Sequence, residues 1–217
     1  MPQYIGTNLE DKFALSIIDD DDYSVSLGLG NDFARLGNGD DSISGGDGND
    51  TIFGGGGRDL INAGAGNDEI RLGVGDAQVN AGTGNDLIYG AGRNVLNGQD
   101  GDDFIVGNGN GTKISGGAGN DTLVGGSGFE TINGGEGNDT FLFDANTEQA
   151  IINDFRHGED KIDLSQFGFA DLADILDSTS FSGNGSAVIY APADISLGRM
   201  TLMNIKPQDL QIDDFIL

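Results

Sequence analysis

Cysteine is absent from the 217 residues, which excludes a disulfide framework, a zinc-thiolate centre and a thiol nucleophile. No apolar run approaches the ~18 residues that a membrane-spanning helix needs, and the opening MPQYIGTNLEDKF has neither the basic start nor the apolar stretch of an amino-terminal secretory leader. Basic side chains are scarce, 10 against 36 acidic ones, for a formal net charge of -26. Such a charge disfavours nucleic acid and anionic membrane surfaces as partners. A compact fold that carries it calls for counter-charge, and a hard divalent cation with oxygen ligands supplies that. Proline is limited to 3 residues, and the 39 glycines follow no three-residue period, which excludes collagen. The chain has one histidine, His157, in the turn RHGEDK, where the expectation is an exposed polar residue. Neither HExxH nor GxSxG occurs, so the sequence points away from catalysis in this chain.

What is present is a period. From Leu27 to Leu142 the sequence divides into nine-residue units of the form GGxGxDxUx, where U is a large apolar residue, as in Gly45 to Phe53. Units begin at Leu27, Leu36, Gly45, Gly54, Ala63, Leu72, Ala81, Gly90, Gly98, Gly107, Gly116, Gly125 and Gly134, and only the one at Gly90 is a residue short. The eighth place is apolar in all thirteen units: Ala34, Ile43, Ile52, Ile61, Ile70, Val79, Ile88, Leu96, Ile105, Ile114, Leu123, Ile132 and Phe141. One apolar residue in nine cannot form an amphipathic helix. It suits a short strand with its central side chain inward, while glycine-rich turns supply the positive φ between strands. Two units then make one coil, and alternate strands stack into two parallel sheets. The expected fold is all-β: a parallel β-roll over residues 27–142, with degenerate repeats at 1–26 as an amino-terminal cap and a carboxy-terminal β-rich cap containing a short helix at 143–217.

Sorting the units by edge separates the sixth-place residues. One edge carries Asp32, Asp50, Asp68, Asp86, Asp103, Asp121 and Asp139 without a gap; the other carries Asp41 and Asp59, then Ala77, Asn94, Thr112 and Glu130. Aspartate in glycine-rich turns serves either as a turn former or as a calcium ligand beside exposed backbone carbonyls. Thirteen phased units favour the second, with roughly six intervals for ions on the first edge and about one on the second. The sheet faces differ too. One presents Ser44, Asn62, Asn80, Asn97, Ser115 and Asn133, a polar ladder. The other presents Arg35, Phe53, Arg71 and Tyr89, then Val106, Val124 and Leu142. Stacked cations and rings suit a carboxylated polysaccharide; the alternative is a face covered by a terminal segment or a partner domain.

The nonapeptide resembles the RTX, or hemolysin-type calcium-binding, repeat. In that family an ion lies between successive turns on one edge, and the resemblance therefore implies backbone ligands here as well as the aspartates. On the first edge these fall at Gly28 and Gly30; at Gly45, Gly46, Asp47 and Gly48; and at Ala63, Gly64, Ala65 and Gly66. The series continues at Ala81, Gly82, Thr83 and Gly84; at Gly98, Gln99, Asp100 and Gly101; at Gly116, Gly117, Ala118 and Gly119; and at Gly134, Gly135, Glu136 and Gly137.

Beyond Leu142 the period stops. Phe169, Leu172, Ala173 and Leu176 share one helical face, and Ser186 to Tyr190 and Arg199 to Met203 read as strands. The element DFxxGxDKIDLS resembles the segment that follows the rolls of serralysin-type proteases and of the repeat modules of mannuronan C-5 epimerases, where it caps the roll. The final IDDFIL resembles the ending of type I secretion substrates; an ordinary terminal strand would look the same. These resemblances imply a secreted, extracellular module that folds on calcium, or a polysaccharide-binding module of a larger enzyme.

Overall fold

A computed structural model describes residues 2–14, 20–183, 185–191 and 198–217. Two facing sheets run the length of the molecule. The long sheet stacks Gln3–Ile5, Ser24–Leu29, Ser42–Asp47, Leu60–Ala65, Gln78–Thr83, Val95–Asp100, Lys113–Ala118, Phe129–Glu136 and Gln149–Ile152. The short sheet stacks Lys12–Ala14, Phe33–Arg35, Thr51–Gly57, Glu69–Gly75, Leu87–Tyr89, Phe104–Val106, Thr122–Val124, Thr140–Leu142 and Lys161–Asp163. All of these neighbours pair in parallel, and the chain alternates between the sheets at every strand. The fold is a parallel β-roll of about nine turns with one short helix near the carboxy-terminal end.

The register shows why the sequence folds this way. Ser42 pairs with Leu60 and Leu60 with Gln78, so each coil consumes two nonapeptides. Across the short unit at Gly90 the step drops by one residue, Gln78 pairing with Val95 and Leu87 with Phe104, without breaking either sheet. The thirteen eighth-place side chains are all buried, none more than 1% exposed, and form the central column. Burying one Ile, Leu or Val contributes about 1.5–3 kcal/mol, but a single coil brings only two such residues. The roll is therefore stable through stacking rather than through any one coil. A second inward column, unforeseen from the sequence, lies at the first place, where Leu27, Leu36, Ala63 and Ala81 are also buried.

Turn geometry explains the glycines. Gly46 and Gly48 take φ of 117° and 129°, and a Cβ at either would lie 1.9 or 2.1 Å from the carbonyl oxygen of Gly28 or Gly30 in the preceding coil. Left-handed backbone and close stacking thus require glycine together. One first-edge turn departs from this: Gln99 occupies the second place with φ of 81°.

At the carboxy-terminal end both sheets continue with changed register, Phe129 pairing with Gln149 and Thr140 with Lys161. Arg199–Leu202 extends the long sheet in parallel, followed by antiparallel Ala187–Tyr190 and Thr179–Phe181; Phe215–Ile216 ends the short sheet. The two expected strands are thus present, each a residue shorter than read. The helix spans Leu172–Asp177, because Asp171 Oδ1 accepts the N–H groups of Ala173 and Asp174 at 2.8 and 3.1 Å and so caps it there. That start corrects the expected face in part: Phe169 precedes the helix yet packs on the core as Leu172 does, whereas Ala173 and Leu176 are exposed and Ile175 is the residue the helix buries. His157 is exposed, as expected, but it is not without a partner. Its Nδ1 lies 2.6 Å from Oδ1 of Asp214, a fully buried carboxylate, so the histidine ties the turn before Lys161–Asp163 to the 3-10 turn Ile212–Asp214 that leads into the final strand.

Candidate metal centre

Each sixth-place aspartate of the first edge turns inward at the end of a glycine-rich turn and is at most 3% exposed. Their Oδ1 atoms form one continuous ladder. Asp11 N–H donates to Asp32, Asp32 to Asp50, and so on through Asp68, Asp86, Asp103, Asp121 and Asp139 to Asp160, with distances of 2.6–3.0 Å. The Oδ2 atoms differ. In Asp32, Asp50, Asp68, Asp86, Asp103, Asp121 and Asp139 this oxygen is buried and has no hydrogen-bond partner. At the two ends it is occupied: Asp11 Oδ2 accepts the Thr7 N–H at 2.6 Å, and Asp160 Oδ2 accepts the Arg156 N–H at 2.7 Å. Local backbone thus closes the column at both ends and leaves one oxygen available in each of the seven turns between.

Those oxygens meet carbonyls. Beside Gly45 Cα, the point that a Cβ would fill lies 2.3 Å from both Asp50 Oδ2 and the carbonyl oxygen of Ala63 in the next coil. The same convergence recurs at Gly98, with Asp103 Oδ2 and Gly116 O, and at Gly116, with Asp121 Oδ2 and Gly134 O. Second- and fourth-place carbonyls, such as those of Gly28 and Gly30, face the next coil along the stack. Third-place carbonyls are committed to the sheet, Asp47 O accepting from Gly30 and Ala65 O from Gly48 at 2.7 Å, with a second lone pair remaining on each. Among the described residues no three acidic or histidine side chains gather as a metal cluster. A cation between these turns would therefore take most of its ligands from backbone carbonyls. The donor set is all oxygen, with one carboxylate per turn, which fits calcium.

Electrostatics supports that fit. Burial pushes the carboxyls of Asp50, Asp68, Asp86 and Asp121 up to about 6 and that of Asp103 to about 7. In each the N–H accepted from the preceding coil opposes the rise, and for Asp50, Asp68, Asp103 and Asp121 neighbouring carboxylates add to it. A row of buried carboxylates is costly unless neutralised by protons or cations.

The fifth place carries a second ladder that the sequence reading passed over. Asn49 N–H donates to Asn31 Oδ1, and the pattern repeats through Asn67, Asn85, Asp102, Asn120 and Asn138 at 2.7–3.0 Å. It points forward along the stack while the aspartates point back, so the two ladders clamp each turn from both sides. Reading the fifth place as a column, Asn or Asp in every first-edge turn, would have found it.

On the second edge Asp41 Oδ1 accepts from Tyr23 and Asp59 Oδ1 accepts from Asp41, at 2.8 and 3.1 Å. Burial pushes the Asp59 carboxyl up to about 7. Beyond it the pattern fails, because Asn94 Oδ1 takes the Ala77 N–H and presents Nδ2 where aspartate would present oxygen. Beside Gly54 the Leu72 side chain lies where the first edge places a carbonyl.

The outer faces carry the expected side chains. Asn80 Nδ2 donates to Asn62 Oδ1 at 2.9 Å on the polar face. On the other, Arg35 Cζ lies 6.0 Å from the Phe53 ring centroid and Arg71 Cζ lies 4.4 Å from that of Tyr89. Arg35 and Arg71 are exposed and the rings half-buried, and Arg35, Phe53 and Arg71 line a depression of about 200 Å³. Arg71 is also paired with Glu69 at 2.5 Å.

Stacked glycine-rich turns with an inward aspartate column define a calcium-binding parallel β-roll. The RTX calcium-binding nonapeptide repeat matches at residues 26–61, 36–70, 45–79, 72–92, 90–111 and 113–146, together more than half of the chain. The chain belongs to that family, and it is a calcium-binding module. No curated protein matches the sequence. Among solved structures, the AlgE6R3 subunit of the Azotobacter vinelandii mannuronan C5-epimerase is similar at 25% identity and a TM-score of 0.41, with 62% of this chain and 78% of that one covered. The extracellular lipase LipA from Serratia marcescens is similar at 18% identity and a TM-score of 0.38, and this chain, covered over 92% of its length, spans 40% of the lipase.

Proposed function

We propose that this chain is an extracellular module that stays unfolded while calcium is scarce inside the cell and folds around several ions after export. The observation that carries the proposal is the column of seven buried Oδ2 atoms without partners, closed at both ends by backbone N–H groups. In this reading Asp32, Asp50, Asp68, Asp86, Asp103, Asp121 and Asp139, with the turn carbonyls beside them, hold ions on the first edge, and Asp41 and Asp59 hold one on the second. The segments at 1–26 and 143–217 act as caps. Asp154 supports that role, its carboxylate accepting the N–H groups of Gly134 and Gly135 in the last regular turn at 2.9 and 3.1 Å. Type I export fits the same reading: the final IDDFIL is tied into the short sheet in the folded state and accessible in an unfolded chain. The reading assigns no catalytic step to this chain, and its one histidine makes a contact within the cap. Equilibrium dialysis against radioactive calcium tests the proposal. Several ions per chain, released by chelator, are expected; a chain that retains none overturns it.

A second reading rests on the cation and ring ladder of Arg35, Phe53, Arg71 and Tyr89: a calcium-dependent site for an acidic polysaccharide. Guanidinium groups pair with carboxylates and rings stack on sugar faces. Titration of the calcium-loaded protein with alginate oligomers should show binding that Arg35→Ala and Arg71→Ala together weaken at least tenfold. No binding by the unaltered protein would remove this reading for that ligand.

A further inference from the structure

The second edge was expected to lose its ions beyond Asp59, and Glu130 was counted among the failed places. The structure gives it a different part. Glu130 is 0% exposed, and both of its carboxylate oxygens are buried without a hydrogen-bond partner of acceptable geometry. The turn that carries it, GGSGFE at 125–130, keeps glycine at the first, second and fourth places, with φ of 80° at Gly126 and 110° at Gly128. The longer side chain curls back into this turn. Oε2 lies 3.2 Å from the position of a Cβ on Gly125, and Oε1 lies 3.2 Å from that on Gly128. Oε2 thus faces the first-place glycine of its own turn, as the Oδ2 atoms of Asp50, Asp103, Asp121 and Asp139 do on the first edge.

Among the described residues none supplies a positive charge that offsets it. The Gly109 N–H of the preceding turn acts weakly in its favour, whereas burial and the nearby Glu148 carboxylate act against the charged form and push the Glu130 carboxyl up to about 8. Thr112, the sixth-place residue of the preceding turn, offers no proton to it either: its hydroxyl is held by the carbonyl oxygens of Gly92 and Gly109 at 2.9 and 2.8 Å. A buried carboxylate with two unmatched oxygens in a concave, glycine-lined turn is a cation ligand by its chemistry.

We infer that Glu130 holds a divalent, oxygen-liganded cation of the calcium class within turn 125–130, forming a second-edge site that the aspartate rule does not predict. The inference rests on the reading of the chain as a calcium-binding roll and adds one site to it. The turn before it lacks a sixth-place carboxylate, and the extra methylene of glutamate brings both oxygens of Glu130 back into its own turn, which keeps three glycines.

Native mass spectrometry of the full chain in calcium supplies the test, comparing the unaltered protein with Glu130→Gln. The variant should bind one ion fewer and keep the first-edge ions. In chelator Glu130→Gln should be at least as stable as the unaltered chain, since it removes a buried carboxyl whose charged form the fold disfavours. An unchanged ion count overturns the inference. If the unaltered chain binds no calcium at all, the parent reading fails instead, and the two failures are distinguishable. Should Glu130→Gln not fold, a calcium-loaded crystal of the unaltered protein decides the matter: density within about 2.3–2.6 Å of a Glu130 oxygen supports the site, and its absence there overturns it.

Discussion

In chelator at neutral pH the chain should lose its β-sheet circular-dichroism signal, and millimolar calcium should restore it. Stacking buries seven sixth-place carboxylates on one edge, and each leaves one oxygen unsatisfied. Without a cation these charges oppose the folded state, on top of the general repulsion of a net charge of -26. Extracellular calcium modules work at dissociation constants of about 10⁻⁴–10⁻³ M, and binding to the native state alone makes stability rise with ion concentration. The pH dependence follows from the raised carboxyls of Asp50, Asp68, Asp86, Asp103 and Asp121, at about 6 to 7 when folded and about 3.9 in an unfolded chain. Below about pH 4 both states are protonated and the burial penalty vanishes; it grows as pH rises and is complete above the folded values. Acidifying the chelated protein from neutral pH should therefore increase its β-sheet content. Calcium binds the charged form, so acidification should raise the calcium concentration needed to fold the loaded protein. A chelated protein whose signal does not change with pH would contradict the assigned role of these carboxylates.

Replacing Asp86 with Ala should shift the calcium midpoint for folding upward by tenfold or more, whereas Asp76→Ala should leave it nearly unchanged. Asp86 sits in the middle of the column, with Oδ1 holding the Asp68 N–H at 2.7 Å and Oδ2 buried without a partner. Its removal leaves that N–H unsatisfied, which costs about 1–3 kcal/mol, and withdraws a carboxylate from the column proposed to hold calcium. Asp76 lies one place before the sixth in a turn whose sixth residue is Ala77, and its pairing with Arg93 at 2.7 Å is on the surface, where such a pair contributes about 0–1 kcal/mol. Calcium titrations followed by circular dichroism measure both. Equal shifts for the two variants would mean that total charge, rather than position in the column, governs folding.

The eighth-place column and the sixth-place aspartates were readable because each is fixed by a local rule repeated in phase, and the short unit at Gly90 was visible as a missing residue that the register then absorbed. The fifth-place Asn ladder was equally available in the columns but lacks the charge that draws attention to aspartate. Glu130 looked like a lost ligand because the motif specifies a residue type; only its burial and unmatched oxygens show the carboxylate returning to the turn. His157 and Asp214 lie 57 residues apart, and nothing periodic connects them. The helix face was misplaced for a related reason. Helical spacing was extended back to Phe169, whereas the cap at Asp171 starts the helix later and leaves Ile175 as the buried contact.

A crystal of the calcium-loaded protein, measured for anomalous scattering, tests the central claim most directly. A row of peaks along the edge of Asp32, Asp50, Asp68, Asp86, Asp103, Asp121 and Asp139, spaced like the stacked strands at about 4.8 Å, is the predicted result. A folded roll whose seven aspartates show no peak between their turns would contradict it.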